Sequence, residues 1–346
     1  MAPEPFVPLA ICVNPMSGRD VRRLAARASN MTHEAKRDIV ARVAAGADAM
    51  GVTDIFVTQE PFRIASTALQ HMGLRARIHV LELPIRNTAA DTRAAVEAFL
   101  DARCQTLVSI GGDGTNRAIV GTLHEAGRCA DCHLIPLSTG TNNVFPVLAE
   151  PTVAGMAAGL QASGCLASTE VRQRCKVLHV RDLATNRRDV GLIDVVLLKD
   201  DFVGNLLPFA AEKIQRLLLS RAEPNAVGMS PIGGLVDVVD AAADCGLLVE
   251  MGANPAAAGF AAPLAPGAFQ TVSVRDTTRI PLDTDVIFHG PGVLALDGDR
   301  ELKIARRGAS VAVRRDGPWI LDIDTAMRWA VAQGIMAPSS PEPPSA

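Results

Sequence analysis

Tyrosine is missing from this chain, and aromatic residues of every kind make up only 3% of it. That scarcity removes the stacking platforms on which single-stranded nucleic acids are held. An excess of basic charge is missing too. With 34 lysines and arginines against 37 acidic residues, the net charge is −3, which offers no electrostatic footprint for a phosphate backbone. No nucleic-acid partner is therefore expected. No long apolar run approaches a membrane span, so stable membrane insertion is not expected either. The opening Met1–Pro8 has neither a basic n-region nor an apolar h-region, and a cytoplasmic protein without a secretory leader is the expectation. Seven cysteines, odd in number and scattered, fit reduced thiols in a cytosolic enzyme better than a disulfide framework.

One cysteine cluster needs weighing. Cys129-Ala130-Asp131-Cys132-His133 spells the C-x-x-C-H of covalent haem attachment, with His124 nearby. Haem attachment of that kind requires export, and a zinc site requires a second ligand pair that the spacing does not supply. An ordinary helix-to-strand connection is the preferred reading.

What the chain does have is glycine in telling places. The apolar run from Thr106 to Ile110 breaks into Gly111-Gly112-Asp113-Gly114-Thr115. Glycines reach positive φ without a Cβ penalty, so such a turn can curl its N–H groups into a nest for an anion. A helix-like run follows, and its N-terminus adds dipole and open donors at the same point. Asp113 is then either the N-cap of a plain strand-turn-helix corner, or a chemical group that holds Mg²⁺ or takes a proton from an attacking hydroxyl. The loop is neither a P-loop nor G-x-G-x-x-G. Two further polar loops follow apolar runs. Asn14-Pro15-Met16-Ser17-Gly18 offers backbone donors and Ser17 to a phosphate, with Arg19 beside it, while Arg19, Arg22 and Arg23 also read as a solvated helix face. Ser138-Thr139-Gly140-Thr141-Asn142-Asn143 is either a polar turn or an element whose Thr139, Gly140 and Thr141 approach phosphate while Asn142 and Asn143 orient a substrate hydroxyl.

These motifs resemble a family. GGDGT is the signature of the superfamily joining NAD kinases with diacylglycerol and sphingosine kinases, and the segments from Asn14 and Pro136 resemble its N-P-x-S-G and P-x-G-T-x-N elements. The combination is most similar to the ATP–NAD kinase-like proteins encoded beside acetoin-catabolism genes. The resemblance implies ATP as phosphoryl donor, Mg²⁺ as cofactor, and a homodimer or homotetramer.

Apolar strands alternate with helical runs through residue 164, which predicts βαβ units and a Rossmann-like parallel sheet, with the three loops at the carboxyl ends of its strands. From residue 165 to 321 short strands dominate, apart from one helix expected over Asn205–Ser220 and considered as a weak membrane-docking element. This predicts a β-rich second domain, sandwich-like by the resemblance. A helix over 322–337 is expected to return to the first domain, and 338–346 reads as a disordered tail. Three elements in the second half carry roles through the resemblance. Asp194 matches the acidic member of the Asn-Glu pair that grips a ribose in NAD kinases, with Ile193 in place of the asparagine. Ser230, Gly233 and Gly234 resemble a loop that folds over the dinucleotide. Asp297-Gly298-Asp299 resembles the D-G-E element of lipid kinases. Its two carboxylates could share a metal or supply a base, and Asp-Gly between apolar runs is equally a hairpin turn.

The expected activity is transfer of a phosphoryl group from ATP to a hydroxyl of a small molecule, NAD first. A lipid or small polyol is the alternative acceptor, and a non-catalytic nucleotide-binding regulator the alternative of another class. Asp113 and Asp297 are the catalytic candidates. Asp113, Asp297 and Asp299 are the metal candidates. Asn14, Ser17, Gly18, Gly111, Gly112, Gly114, Thr115, Thr139, Gly140 and Thr141 are the phosphate-binding candidates, and Asn142, Asn143, Asp194, Ser230, Gly233 and Gly234 the substrate-binding ones.

Overall fold

The structure, a computed structural model, describes residues 6–19, 30–199, 211–253, 258–298 and 300–336. Arg22, Arg23, Asp299, the 205–210 part of the expected helix and the expected tail lie outside them. Five apolar segments become parallel strands: β1 (Pro8–Val13), β2 (Asp54–Thr58), β3 (Arg77–Leu81), β4 (Thr106–Gly111) and β5 (His133–Ser138). Their order is β3-β2-β1-β4-β5, with Ile11 opposite Val57 on one side and Val108 on the other. The order runs outward from β1 and then restarts at β4, so a crevice opens beyond the carboxyl ends of these two neighbours.

Helices cover both faces, which is why the strands read as continuous apolar runs. Leu9, Ile11 and Val13 join a core with α1 (His33–Ala49), α2 (Ile64–Leu69) and α5 (Pro151–Ala162). The intervening Ala10 and Cys12 face α3 (Ala89–Asp101) and α4 (Asp113–Glu125). Thr32 and Thr88 cap α1 and α3, accepting from Ala35 N at 3.1 Å and Ala90 N at 3.2 Å.

The first sheet then takes strands from the second half of the chain. β6 (Arg172–Arg174) and β19 (Trp319–Leu321) extend it past β5, with β19 parallel to β5 and β6 antiparallel to β19. A last helix, α7 (Ile323–Ala332), buries Ala326 and Ala330 in the core beneath α1 and α5. The first layer thus includes residues assigned by sequence to the second domain.

Between them stands a β-sandwich. One sheet has the order β14-β11-β10-β9-β16-β17, built from β9 (Asp194–Leu198), β10 (Ile214–Leu219), β11 (Cys245–Met251), β14 (Val274–Pro281), β16 (Gly292–Leu296) and β17 (Arg300–Ile304). The other has the order β15-β18-β7-β8, built from β7 (Val177–Asp182), β8 (Arg188–Gly191), β15 (Val286–Phe288) and β18 (Ala309–Arg314). Leu178, Val180, Val195, Leu218, Phe288, Leu294 and Val311 fill the space between them. The outer face of the larger sheet is covered by the hairpin β12 (Phe260–Ala265) and β13 (Ala268–Val272) and by the short α6 (Ser230–Gly234).

Two expectations fail here. The described part of the expected Asn205–Ser220 helix is a 3₁₀ turn at Ala211–Lys213 followed by β10, paired antiparallel with β9 and β11. The sequence Ile-Gln-Arg-Leu-Leu-Leu has no strict alternation, and tertiary pairing decides between helix and strand. The strand expected at Leu235–Val239 reduces to a single bridge between Val239 and Ala222.

Candidate active site

A cleft of about 570 Å³ lies beyond the carboxyl ends of β1 to β5. Its floor comes from five connections, and the first turns of α3 (Ala89, Asp91, Thr92) and α4 (Asp113, Gly114, Thr115) both open on it. Its far wall comes from the sandwich side, through Ile193, Asp194, Val227–Met229, Leu264, Ala265, Asp297 and Gly298.

The loop after β1 is built around Asn14. Its Oδ1 accepts from Met16 N at 2.9 Å and Ser17 N at 3.3 Å, and its Nδ2 donates to Thr115 Oγ1 at 2.8 Å, which ties the loop to GGDGT. Gly18 takes a φ of 69°, the left-handed turn that suits glycine. Beneath lies a residue that sequence reading missed. Lys36 on α1 is 0% exposed, and its Nζ donates to the carbonyls of Asn14, Pro15 and Ser17 at 2.7–2.8 Å. Three carbonyls drawn down to one ammonium hold the loop from beneath. The signal was a lone lysine on the inward face of a helix, indistinguishable in sequence from a solvated one. Arg19, read either as part of a solvated face or as a phosphate neighbour, meets His33 Nε2 at 2.6 Å.

The GGDGT loop and the loop after β5 touch backbone to backbone. A Cβ on Gly140 would fall 2.6 Å from Gly112 Cα, so neither glycine admits a side chain without parting the loops. Asp113 fastens the same contact, accepting from Val144 N at 3.1 Å and Phe145 N at 2.8 Å. Asn116, also missed in sequence, is fully buried, accepts from Ser109 Oγ at 2.5 Å and donates to Gly112 O at 2.9 Å. Thr139 is 1% exposed and bonds Ser17 Oγ at 2.6 Å and Gly111 O at 2.9 Å, so it braces the loops from below. Thr141 and Asn142 line the cleft, whereas Asn143, with a φ of 50°, donates back to Gly140 O at 2.8 Å.

Asp297 is not a free carboxylate at the cleft. Its side chain is 1% exposed and accepts from the amides of Leu192, Ile193 and Asp194 at 2.7–3.2 Å, with Arg117 Nε 3.7 Å away. It holds the β8–β9 turn, and with it Asp194, on the cleft wall. Both Asp297 and Gly298 have positive φ, the backbone of the hairpin turn between β16 and β17. The dinucleotide-loop reading of Ser230, Gly233 and Gly234 is corrected. Ser230 is 0% exposed and joins Arg221 O and Glu223 N at 2.9 and 3.0 Å, and a Cβ on Gly233 would strike Leu219 and Leu247. These small residues let α6 press on the sandwich, and only Val227–Met229 of that segment reach the cleft. A cationic link closes the two sides: Arg221 lies 5.1 Å from the Phe145 ring centroid and donates to Val144 O at 3.3 Å.

Among the described residues the cleft wall carries five carboxylates, Glu60, Asp91, Asp113, Asp194 and Asp297, against one guanidinium, Arg117. A polyphosphate entering such a site needs cations with it. Glu60 and Asp91 are spent on backbone amides, Glu60 on Phe62 N and Ala65 N, Asp91 on Arg86 N and Asn87 N. Asp113 and Asp194 also line the cleft, Asp113 while accepting from Val144 N and Phe145 N. Mg²⁺ bound through one or two carboxylates and substrate phosphates fits that supply, whereas an all-protein cage does not. Among the described residues, the C-x-x-C-H side chains do not join a group of converging metal-ligand atoms. Burial pushes the thiols of Cys129 and Cys132 up to about 12 and 11, and His133, pushed down to about 4 by burial beside Arg172, bonds that arginine at 2.9 Å.

Comparison with known proteins follows this division of the chain. The family model of the ATP-NAD kinase N-terminal domain matches residues 9–164, and that of the acetoin catabolism protein X C-terminal domain matches residues 176–316. Acetoin catabolism protein X of Cupriavidus necator is 30% identical over 356 residues, covering 97% of this chain and 95% of its own. Among solved structures, a diacylglycerol kinase from Bacillus anthracis str. Sterne aligns over 91% of this chain and 97% of its own, at 11% identity and a TM-score of 0.45. A further structure with the same kinase designation and source aligns over 91% and 98% at 10% identity and a TM-score of 0.46. No helix among the described residues is long and apolar enough to cross a membrane. With an ATP-NAD kinase-type domain in front of a protein X-type C-terminal domain, this chain belongs to the acetoin catabolism protein X family.

Proposed function

We propose that the protein is a phosphotransferase that moves the γ-phosphoryl group of ATP to a hydroxyl of a small molecule, with NAD the leading acceptor. The carrying observation is the convergence of three glycine or serine-rich loops and two helix N-termini on one cleft whose opposite wall belongs to the sandwich. Phosphoryl transfer asks for positioning and charge neutralisation rather than covalent chemistry, and backbone nests supply both. In the reaction the acceptor oxygen bonds to the γ-phosphorus, the bond from phosphorus to the ADP oxygen breaks, and the hydroxyl proton passes to a carboxylate. Asp113 and Asp194 are the candidates for that carboxylate. Mg²⁺, when bound beside them, would neutralise the phosphates.

Two observations bear on the alternatives. The Ile214–Leu219 part of the stretch considered for membrane docking is a central strand paired on both edges and not a helix, which weakens a lipid acceptor. The carboxylate of Asp113 fastens Val144 and Phe145, which suits a protein that binds nucleotide without turning it over. ADP release from Mg·ATP across NAD, NADH, diacylglycerol and small polyols, with Asp113→Asn in parallel, separates these readings. Turnover with NAD that falls about 10²-fold or more in the variant is expected. Tight nucleotide binding with no turnover on any acceptor, unchanged in the variant, would instead make the protein a regulator.

A further inference from the structure

Away from the cleft, two imidazoles and a carboxylate converge at the opposite end of α4. His124 stands in the last turn of that helix, His179 on β7, and Asp316 in the connection from β18 to β19. His179 Nε2 lies 3.0 Å from the Asp316 carboxylate and His124 Nε2 lies 3.5 Å from it, and the ring centroids are 4.9 Å apart. Among the described residues this is the one group of three or more such ligands whose donor atoms all fall within 4.8 Å of one another. We propose that His124, His179 and Asp316 bind a divalent transition-metal ion, zinc first, which clamps α4 to the sandwich.

Zinc bonds of about 2.1 Å in tetrahedral geometry keep ligand atoms about 3.4 Å apart. Two edges of the triad, at 3.0 and 3.5 Å, already bracket that spacing, and the third lies within 4.8 Å, so binding would draw the two imidazoles together. Two nitrogens and one oxygen suit zinc and its transition-metal neighbours, with a fourth position left for water, and are a poor set for the oxygen-seeking Mg²⁺ of the cleft. The side chains are 36%, 20% and 38% exposed, which leaves an ion a way in. The turn that presents Asp316 is fixed independently of any metal, because Arg174 donates to the carbonyls of Asp316 and Gly317 at 2.8 and 2.5 Å. The α4 helix is about 20 Å long, so an ion here acts on the backbone that carries Asp113 without entering the cleft.

The test is isothermal titration of EDTA-treated full-length protein with Zn²⁺ and with Mg²⁺, alongside melting curves. The background is Cys165→Ser, which removes the exposed thiol as a competitor. One equivalent of zinc per chain is expected, weakened about tenfold or more in His124→Ala and in His179→Ala. Zinc should raise the melting temperature of the parent and not of either variant, and Mg²⁺ should do neither at this site. Equal zinc uptake by parent and variants, or none by the parent, would reduce the triad to an ion-paired contact between helix and sheet and overturn the proposal.

Discussion

At Asp297 one buried carboxylate answers three backbone amides and lies 3.7 Å from the Arg117 guanidinium. Asp297→Asn presents Arg117 with a neutral amide and sets an NH₂ against N–H donors. Breaking one side of a buried charged pair costs about 3–5 kcal/mol. Urea unfolding is expected to show a lower midpoint with an unchanged slope, and equal midpoints for variant and parent would mean that the carboxylate is dispensable to the fold. This residue also marks the limit of sequence reading. The glycine motifs were legible because a turn is a local property of a few consecutive residues, and residues of all three line the cleft. Whether a given aspartate in it faces ligand or backbone depends on partners far away in sequence, as Asp297 does on Leu192, 105 positions off, and Asp113 on Val144, 31 positions off. Lys36 was illegible for the same reason, since its three carbonyl partners lie on another element.

Helices α1 and α5 meet at glycines, and this contact belongs to the scale of elements. A Cβ on Gly155 would fall 2.1 Å from Val43 O, and one on Gly46 would fall 2.1 Å from Thr152 O. Gly155→Ala gains up to about 1 kcal/mol of helix preference yet must push the helices apart. A lower melting temperature is therefore expected; a rise would show that the contact yields freely. The pairing of β2 with β3 carries a pH signature. Hydrogen bonds from Arg77, and then from His79 and Thr53, outweigh burial and hold Asp54 down to about 2 against an ordinary 3.8. With the folded value depressed, the stabilisation is present above about pH 4 and is lost as pH falls toward 2. It amounts to on the order of 1–2 kcal/mol, because Arg77 is half exposed and water screens the pair. The stability gap between parent and Asp54→Asn should close over that interval in denaturation series; a constant gap would assign the effect to packing. Alternating strands and helices were legible because periodicity is local. The Ile214–Leu219 strand was not, because Ile-Gln-Arg-Leu-Leu-Leu, with Gln215 exposed and Leu217, Leu218 and Leu219 all buried, lacks a strict alternation to read.

Across the whole molecule the two halves are interleaved. β6 and β19 complete the sheet begun by β1 to β5, and Arg221 reaches from the sandwich side to Phe145. A fragment ending at residue 164 leaves β5 as an open edge and the core under α1 and α5 without α7. Such an exposed edge invites association. The fragment is expected to aggregate on expression, and appending residues 318–336 through a flexible linker should recover soluble material, as judged by size-exclusion chromatography. A soluble, monomeric 1–164 fragment would show that the edge is tolerated.

The place of β19 also sets a timetable for synthesis. The neighbour that β5 needs is translated roughly 180 residues after it, which at about 5–20 residues per second is a delay of roughly 10–40 s. A nascent chain therefore carries its first sheet unfinished while the sandwich is still being made, and it is during that interval, rather than in the finished protein, that a chaperone would find a strand to hold.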